Sequence, residues 1–134
     1  MEGPRVVLRP YRDDDMPVME ALLPQSDDDA EVLTICRAGE DDRSIGILEY
    51  ALGEPSEGWA TVKWVALVDG ERRWGLGQDA VRLFEEEARR CGVRAFRTRV
   101  PASLGLALYF WLRLGYRPLD VRGNAVLEMV REVG

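Results

Sequence analysis

The stretch ERRWGLGQDAV, residues 71–81, sets two glycines one residue apart at the opening of a helix-like pattern. Consecutive main-chain N–H groups at a helix start, reinforced by the positive end of the helix dipole, favour an anion. Bare Gly75 and Gly77 would let that anion approach the main chain, and a diphosphate suits the arrangement best. Elsewhere the reactive repertoire is sparse. The 134 residues include no histidine, which removes Ser-His and Cys-His nucleophile pairs, His-carboxylate zinc sites and imidazole acid–base catalysis together. No metal site is expected, so any chemistry must use carboxylates, hydroxyls, thiols, backbone groups or a cofactor. Cys36 and Cys91 lie far apart without a CxxC spacing and read as small buried apolar residues in a reducing compartment.

Other readings of the glycines carry specific requirements. Gly75-Leu-Gly77-Gln-Asp-Ala80 formally satisfies G-x-G-x-x-G/A, the dinucleotide fingerprint. Here DGERRW separates the glycines from the preceding β-like run, and an acidic ribose partner about 20 residues on is replaced by Arg97 and Arg99. A P-loop needs GK[ST], which is absent. A helix-entry turn that holds no ligand remains the plain alternative.

The elements that would position these residues follow from periodicity and punctuation. Val6 to Arg9 has strand composition, and the Asp13–Asp15 cluster can cap a helix with Pro17 in its first turn. Met16, Met19 and Leu23 share one face of that helix, Pro24 ends it, and residues 24–30 form a polar connection. Two β-like runs, Glu31 to Arg37 and Ser44 to Leu52, flank the turn AGEDD, and GEPSEG leads into the longest run, Trp59 to Val68. Gln78 to Cys91 reads as an amphipathic helix with Val81, Phe84, Ala88 and Cys91 inward and Glu85/Arg89 and Glu86/Arg90 pairs outward, stopped at Gly92. Arg94 to Val100 is a strand. Ser103 caps the next helix, LGLALYFWLRL, whose nearly all-round apolarity predicts burial, and Gly115 closes it. The tail reads as a hairpin turning at Arg122 to Asn124. The order β-α-β-β-β-α-β-α-β-β describes one α/β domain over residues 1–134 with a mixed sheet.

Composition narrows the partners. A net charge of −6 argues against nucleic acid and anionic lipid, which need a basic face. No apolar run approaches the roughly 18 residues of a membrane span, and the N-terminus lacks the pattern of a secretory signal. A cytoplasmic protein without nucleic-acid or membrane partners is expected. A homodimer is compatible with the sequence, which marks no interface.

Arg72-Arg-Trp-Gly75-Leu-Gly77 resembles the Q/R-x-x-G-x-G/A signature of the GNAT superfamily of acyl-CoA-dependent N-acetyltransferases. VALVDGE is similar to the strand and loop before it, RVVLRPYRDDDMPVMEALL to the family's opening strand and helix, and ALYFWLRLGYRP to its late helix. The resemblance covers nearly the whole chain in the right order. It implies a single-domain GNAT-like fold with a mixed, mostly antiparallel sheet flanked by helices, the family's second helix being reduced or absent. It implies acetyl-CoA as cofactor. Val65, Ala66 and Leu67 would offer backbone to the pantetheine arm at a bulge that splays this strand from the next. Arg73, Trp74, Gly75, Leu76, Gly77 and Gln78 would supply amides to the diphosphate, with Trp74 also placed to cover the adenine end. The acidic connection Gln25 to Glu31 would line the entrance of a small-molecule or peptide amine acceptor, favouring a cationic one.

Catalytic positions depart from the family pattern. Its glutamate base falls on Thr61, its tyrosine acid on Trp111 and its asparagine on Leu104. A hydroxyl is no base near neutral pH, and an indole N–H donates a hydrogen bond without giving up its proton, so Trp111 belongs with the cofactor contacts. Two substitutes are available: Glu49, acting through a water from the strand beside Trp59–Val68, and Tyr109, two residues before Trp111 and about 200° around the helix. Side-chain alternation gives Glu49 the competing reading of an exposed strand carboxylate; Tyr109 has the competing reading of a packing aromatic. Transfer to a primary amine is the leading reading, and an inert acyl-CoA-binding or protein-interaction module on the same fold is the alternative.

Overall fold

The computed structural model describes residues 1–22, 30–39, 43–68, 75–119 and 125–133. Strand β1 (Val6–Pro10) leads through a 3-10 turn (Asp13–Asp15) into helix α1 (Met16–Leu22). Then follow β2 (Glu31–Arg37), β3 (Arg43–Leu52), β4 (Trp59–Leu67), α2 (Leu76–Arg90), β5 (Ala95–Pro101), α3 (Gly105–Arg113), β6 (Arg117–Pro118) and β7 (Val126–Glu132). This is the order expected from the sequence. The hairpin turn at Arg122–Asn124 and the 25–29 part of the acidic connection lie outside the described residues.

Seven strands form one sheet in the order β1-β2-β3-β4-β5-β7-β6. Every pairing is antiparallel except β4 with β5. The exception has a simple origin. A parallel neighbour needs a crossover, and α2 supplies it between β4 and β5.

The core forms where the apolar stripe of α2 meets one face of the sheet. Ala80, Val81, Phe84 and Ala88 are buried together with Val6, Leu8, Leu33, Ile35, Leu48, Val62 and Phe96. Phe84 stands at the centre, with ring centroids 4.8 Å from Tyr50 and 6.1 Å from Phe96; burying such a ring contributes about 1.5–3 kcal/mol. The helix ends as the sequence predicts. Gly92 takes φ 102°, and the Val93 N–H closes onto the Ala88 carbonyl at 3.0 Å.

Four local expectations fail. Cys91 is exposed rather than inward, because it already sits at the C-cap, where the helical stripe has left the sheet. Glu85 does not pair with Arg89 on the outer surface. It is buried and accepts hydrogen bonds from Tyr116 Oη at 2.6 Å and Arg131 Nη1 at 2.5 Å, while Arg90 pairs with Glu87 rather than Glu86. Burial pushes the Glu85 carboxyl up, against the opposing pull of Tyr116 and Arg131. Ser103 caps nothing: Leu104 is the N-cap of α3, without a side-chain cap bond. Finally, α3 is not buried all round, since Leu106 is 89% and Tyr109 58% exposed. A nine-residue helix lying over one end of the sheet covers it with one side only, here through Trp111.

Opposite α2, the other sheet face carries Ile47 and Glu49 of β3, because neighbouring strand residues alternate in direction. A buried carboxylate ties the 13–22 segment to this face. Asp15 accepts both Arg9 guanidinium nitrogens at 2.7 Å, the Thr34 hydroxyl at 2.8 Å, the Ser44 hydroxyl at 2.7 Å and the Arg12 N–H at 2.9 Å. The Arg9 guanidinium holds the Asp15 carboxyl well below the usual carboxylate range, and the hydrogen bonds act in the same direction.

Candidate functional site

The site begins where β4 and β5 part. They pair over Trp59–Val62 and Ala95–Thr98 only. Beyond that, β5 continues alone with β7 from Arg99 to Pro101, while β4 stays with β3 from Trp64 to Leu67. The β3–β4 register steps from Tyr50↔Val62 to Glu49↔Trp64, so Lys63 is an extra residue in β4. An extra residue bends its strand and sharpens the local twist. The bulge therefore lies at Lys63, one residue past the last rung shared with β5, and not at Val65–Leu67 as expected. Val65, Ala66 and Leu67 belong to the stretch of β4 that lies beyond its last rung with β5.

Beyond the end of that stretch, α2 starts. Gly75 is its N-cap with φ 71°, a left-handed conformation costly for any residue with a Cβ. The first intrahelical bond runs from the Asp79 N–H to the Gly75 carbonyl at 3.1 Å. The N–H groups of Leu76, Gly77 and Gln78 thus precede the helical ladder, and the N-cap residue, a glycine, has no side chain to cap them. Gly77 serves packing as well as access: a Cβ there would lie 3.3 Å from Phe110 Cε2 and 3.8 Å from Leu67 Cδ1. Strand end, helix entry and α3 consequently meet at one point. Arg73 and Trp74 lie outside the described residues.

Arg5, just before β1, reaches the same helix entry, which the strand pattern of β1 did not signal. Its Nε donates to Asp79 Oδ2 at 2.6 Å, and its Nη2 is 3.4 Å from where a Cβ of Gly75 would stand. The Asp79 hydrogen bond raises the guanidinium pKa further, so this cation persists throughout the accessible pH range.

The catalytic candidates are divided by the fold. Glu49 is fully buried, which removes the reading of an exposed strand carboxylate, and it stands in register with Trp64 immediately beside the bulge. The Trp64 Nε1 is buried and has no hydrogen-bond partner among the described residues. Thr61 is also buried, and its hydroxyl donates to the Glu54 carbonyl at 2.9 Å while Arg97 Nε donates to it at 3.2 Å. Tyr50 points to the opposite face, where burial and its hydrogen bond to Glu31 push its phenol up to about 12. Tyr109 is exposed on α3, with the Arg113 guanidinium 5.7 Å from its ring centroid. Trp111 is buried against Phe110 and Tyr116, with centroids 5.1 and 4.8 Å away.

One further concavity, about 290 Å³, lies along the middle of α2 between Arg82, Glu85, Arg89 and Arg131. None of its lining belongs to β4 or to the first turn of α2. Among the described residues no group of His, Cys, Asp and Glu is arranged to hold a metal ion, and no helix is long and apolar enough to cross a membrane.

A sheet that opens between its two parallel strands, beside the start of α2, is here built on the fold of solved GNAT-family acetyltransferases. A probable GNAT-family acetyltransferase from Chromobacterium violaceum superposes with a TM-score of 0.80 and 16% identity, over 98% of this chain and 84% of its own. An acetyltransferase from Thermus thermophilus gives 0.76 and 20% over 99% and 100%. The PaiA N-acetyltransferase of Thermoplasma acidophilum, solved in complex with coenzyme A, gives 0.75 and 13% over 95% and 98%. No protein-family profile and no curated protein matches the sequence.

Proposed function

We propose that this chain transfers the acetyl group of acetyl-CoA to a primary amine, the acceptor being a cationic small molecule or peptide end. One observation carries the reading: β4 and β5 separate after Val62↔Thr98, and the β4 strand that runs on alone leads to the glycine-opened start of α2. Coenzyme A has a matching shape, an extended arm rich in amides followed by a diphosphate. The main chain of Val65, Ala66 and Leu67 would hold the arm as a neighbouring strand would. The N–H groups of Leu76, Gly77 and Gln78 would hold the diphosphate, joined by Arg73, Trp74 and the Arg5 guanidinium. Trp111 would support the cleft from within the core, through Phe110 against Gly77.

Bound acetyl-CoA supplies a thioester, and the chain's own groups do the rest. Glu49 takes a proton from the incoming ammonium through a water, which leaves the nitrogen lone pair free to attack. A backbone N–H at the bulge stabilises charge on the acetyl oxygen. Holding amine and thioester together contributes several kcal/mol, on the order of 7 or more when alignment is good. Tyr109 has no part in this scheme; solvent would take the second proton of the nitrogen and supply one to the coenzyme A thiol group released. A net charge of −6 favours a cationic acceptor.

The engaged hydroxyl of Thr61, held between Glu54 and Arg97, supports a second reading, an acyl-CoA-binding module without turnover. Thiol release from acetyl-CoA across a panel of polyamines, aminoglycosides and peptide amines separates the two. Amine-dependent release is expected. Tight coenzyme A binding with no release from any amine would select the module, and no binding at all would refute both.

A further inference from the structure

A glycine of β3, remote from the signature, holds the geometry of the cleft. Gly46 pairs with Leu67 at the end of β4. A Cβ on Gly46 would stand 2.3 Å from the Ala66 carbonyl oxygen, 2.6 Å from Leu67 Cδ2 and 3.2 Å from Leu67 Cα. Real Cβ contacts do not fall below 3.0 Å, so alanine demands that the Ala66 backbone retreat by at least 0.7 Å. A flexible side chain could swing aside, but a carbonyl inside a strand moves only with the strand.

The register identifies what would move. The Val68 N–H donates to the Ile45 carbonyl at 2.8 Å, so Ile45 and Val68 form a hydrogen-bonded pair and Gly46↔Leu67 a non-bonded one, in which the two strands come closest. Past Val62 no β5 rung steadies β4 from the other side, so β3 is its sheet support. The Leu67 side chain extends the effect to α2: Cδ2 fills the space over Gly46, and Cδ1 is 3.8 Å from the Cβ position of Gly77. Two glycines on different elements thus seat the two methyl groups of one leucine.

We infer that Gly46 is a positioning residue for coenzyme A: its missing side chain seats the end of β4 and, through Leu67, the entry of α2, as one rigid wall. This rests on the acyl-CoA reading of the cleft. Gly46 touches no ligand itself. An isolated glycine within the alternating run SIGILEY is the sequence mark of such a close approach.

The test measures the Kd of coenzyme A by calorimetry at 15 °C for wild type, Gly46→Ala, Leu67→Ala and Met129→Val. Met129 is fully buried in the same core but on β7, which pairs with β5 and β6 and with neither β3 nor β4, so its variant loses stability without altering the β3–β4 seat. Gly46→Ala is expected to raise Kd about tenfold or more, since a displacement near 1 Å suffices to spoil such a site, and Met129→Val is expected to bind as wild type. A folded Gly46→Ala with wild-type Kd overturns the inference. Should Gly46→Ala fail to fold, Leu67→Ala reads the same seat: a several-fold rise supports it, and a wild-type Kd overturns it. Equal weakening in Met129→Val would also overturn it, because core loosening alone would then explain the loss. Wild type that binds no coenzyme A overturns the acyl-CoA reading itself and the role of Gly46 with it.

Discussion

Replacing Asp15 by asparagine should destabilise the protein severely, although the side chain is nearly isosteric. Asp15 is 1% exposed and its two oxygens accept five hydrogen bonds, two of them from Arg9. An amide presents one acceptor and one donor group where every neighbour is a donor. The Arg9 guanidinium, itself mostly buried, would lose its counter-charge. Breaking a buried pair from one side costs about 3–5 kcal/mol, a large share of the roughly 5–15 kcal/mol that stabilises a domain. For a chain of this size the melting temperature should fall by roughly 10–15 °C. Far-UV circular dichroism melts of wild type and Asp15→Asn at pH 7 measure it. A fall under 3 °C would refute the reasoning. Acidity offers an independent check. The folded pKa of Asp15 is depressed, so its contribution is complete above the ordinary carboxylate value of about 4 and disappears as pH falls through the folded value. Below pH 4 the wild-type melting temperature should therefore drop more steeply than that of Asp15→Asn, and the two curves should converge. Parallel curves would show that Asp15 is not the group responsible.

Gly75→Val should weaken coenzyme A about tenfold while leaving pantetheine binding unchanged, because a β-branched residue resists φ 71° and disturbs only the helix entry; equal binding of coenzyme A by both proteins would remove the entry from the site. Glu49→Gln should lower amine-dependent thiol release about a hundredfold, the low end for a general base, with an unchanged Kd for coenzyme A. Undiminished turnover would leave Glu49 without a catalytic role. Cys91 should react rapidly with a thiol reagent in the native protein and Cys36 only after denaturation, and two thiols reacting at once under native conditions would contradict the burial of Cys36.

Element order was legible in the sequence because it depends on local rules. The α2 stripe, the stops at Gly92 and Gly115 and the alternating runs each declare themselves within a few residues. The glycine signature was legible for the same reason, since a helix entry with bare amides is written in consecutive positions. The failures share one cause. Glu85 looked like an outward i,i+4 partner and is a buried acceptor for Tyr116 and Arg131, residues 31 and 46 positions away. α3 looked buried from its composition, yet burial depends on what stands opposite, and there only one side of the helix has a neighbour.

The sequence by itself determined which segments are strands and helices, where α2 and α3 stop, and that a glycine opens α2. Tertiary structure alone decided that the β4 bulge falls at Lys63, that Glu49 is enclosed beside it, and that Gly46 and Gly77 share Leu67. Periodicity reports the face a residue shows within its own element. It carries no record of which strand lies alongside, in what register, or how closely two backbones approach, and the cleft is made of those three quantities.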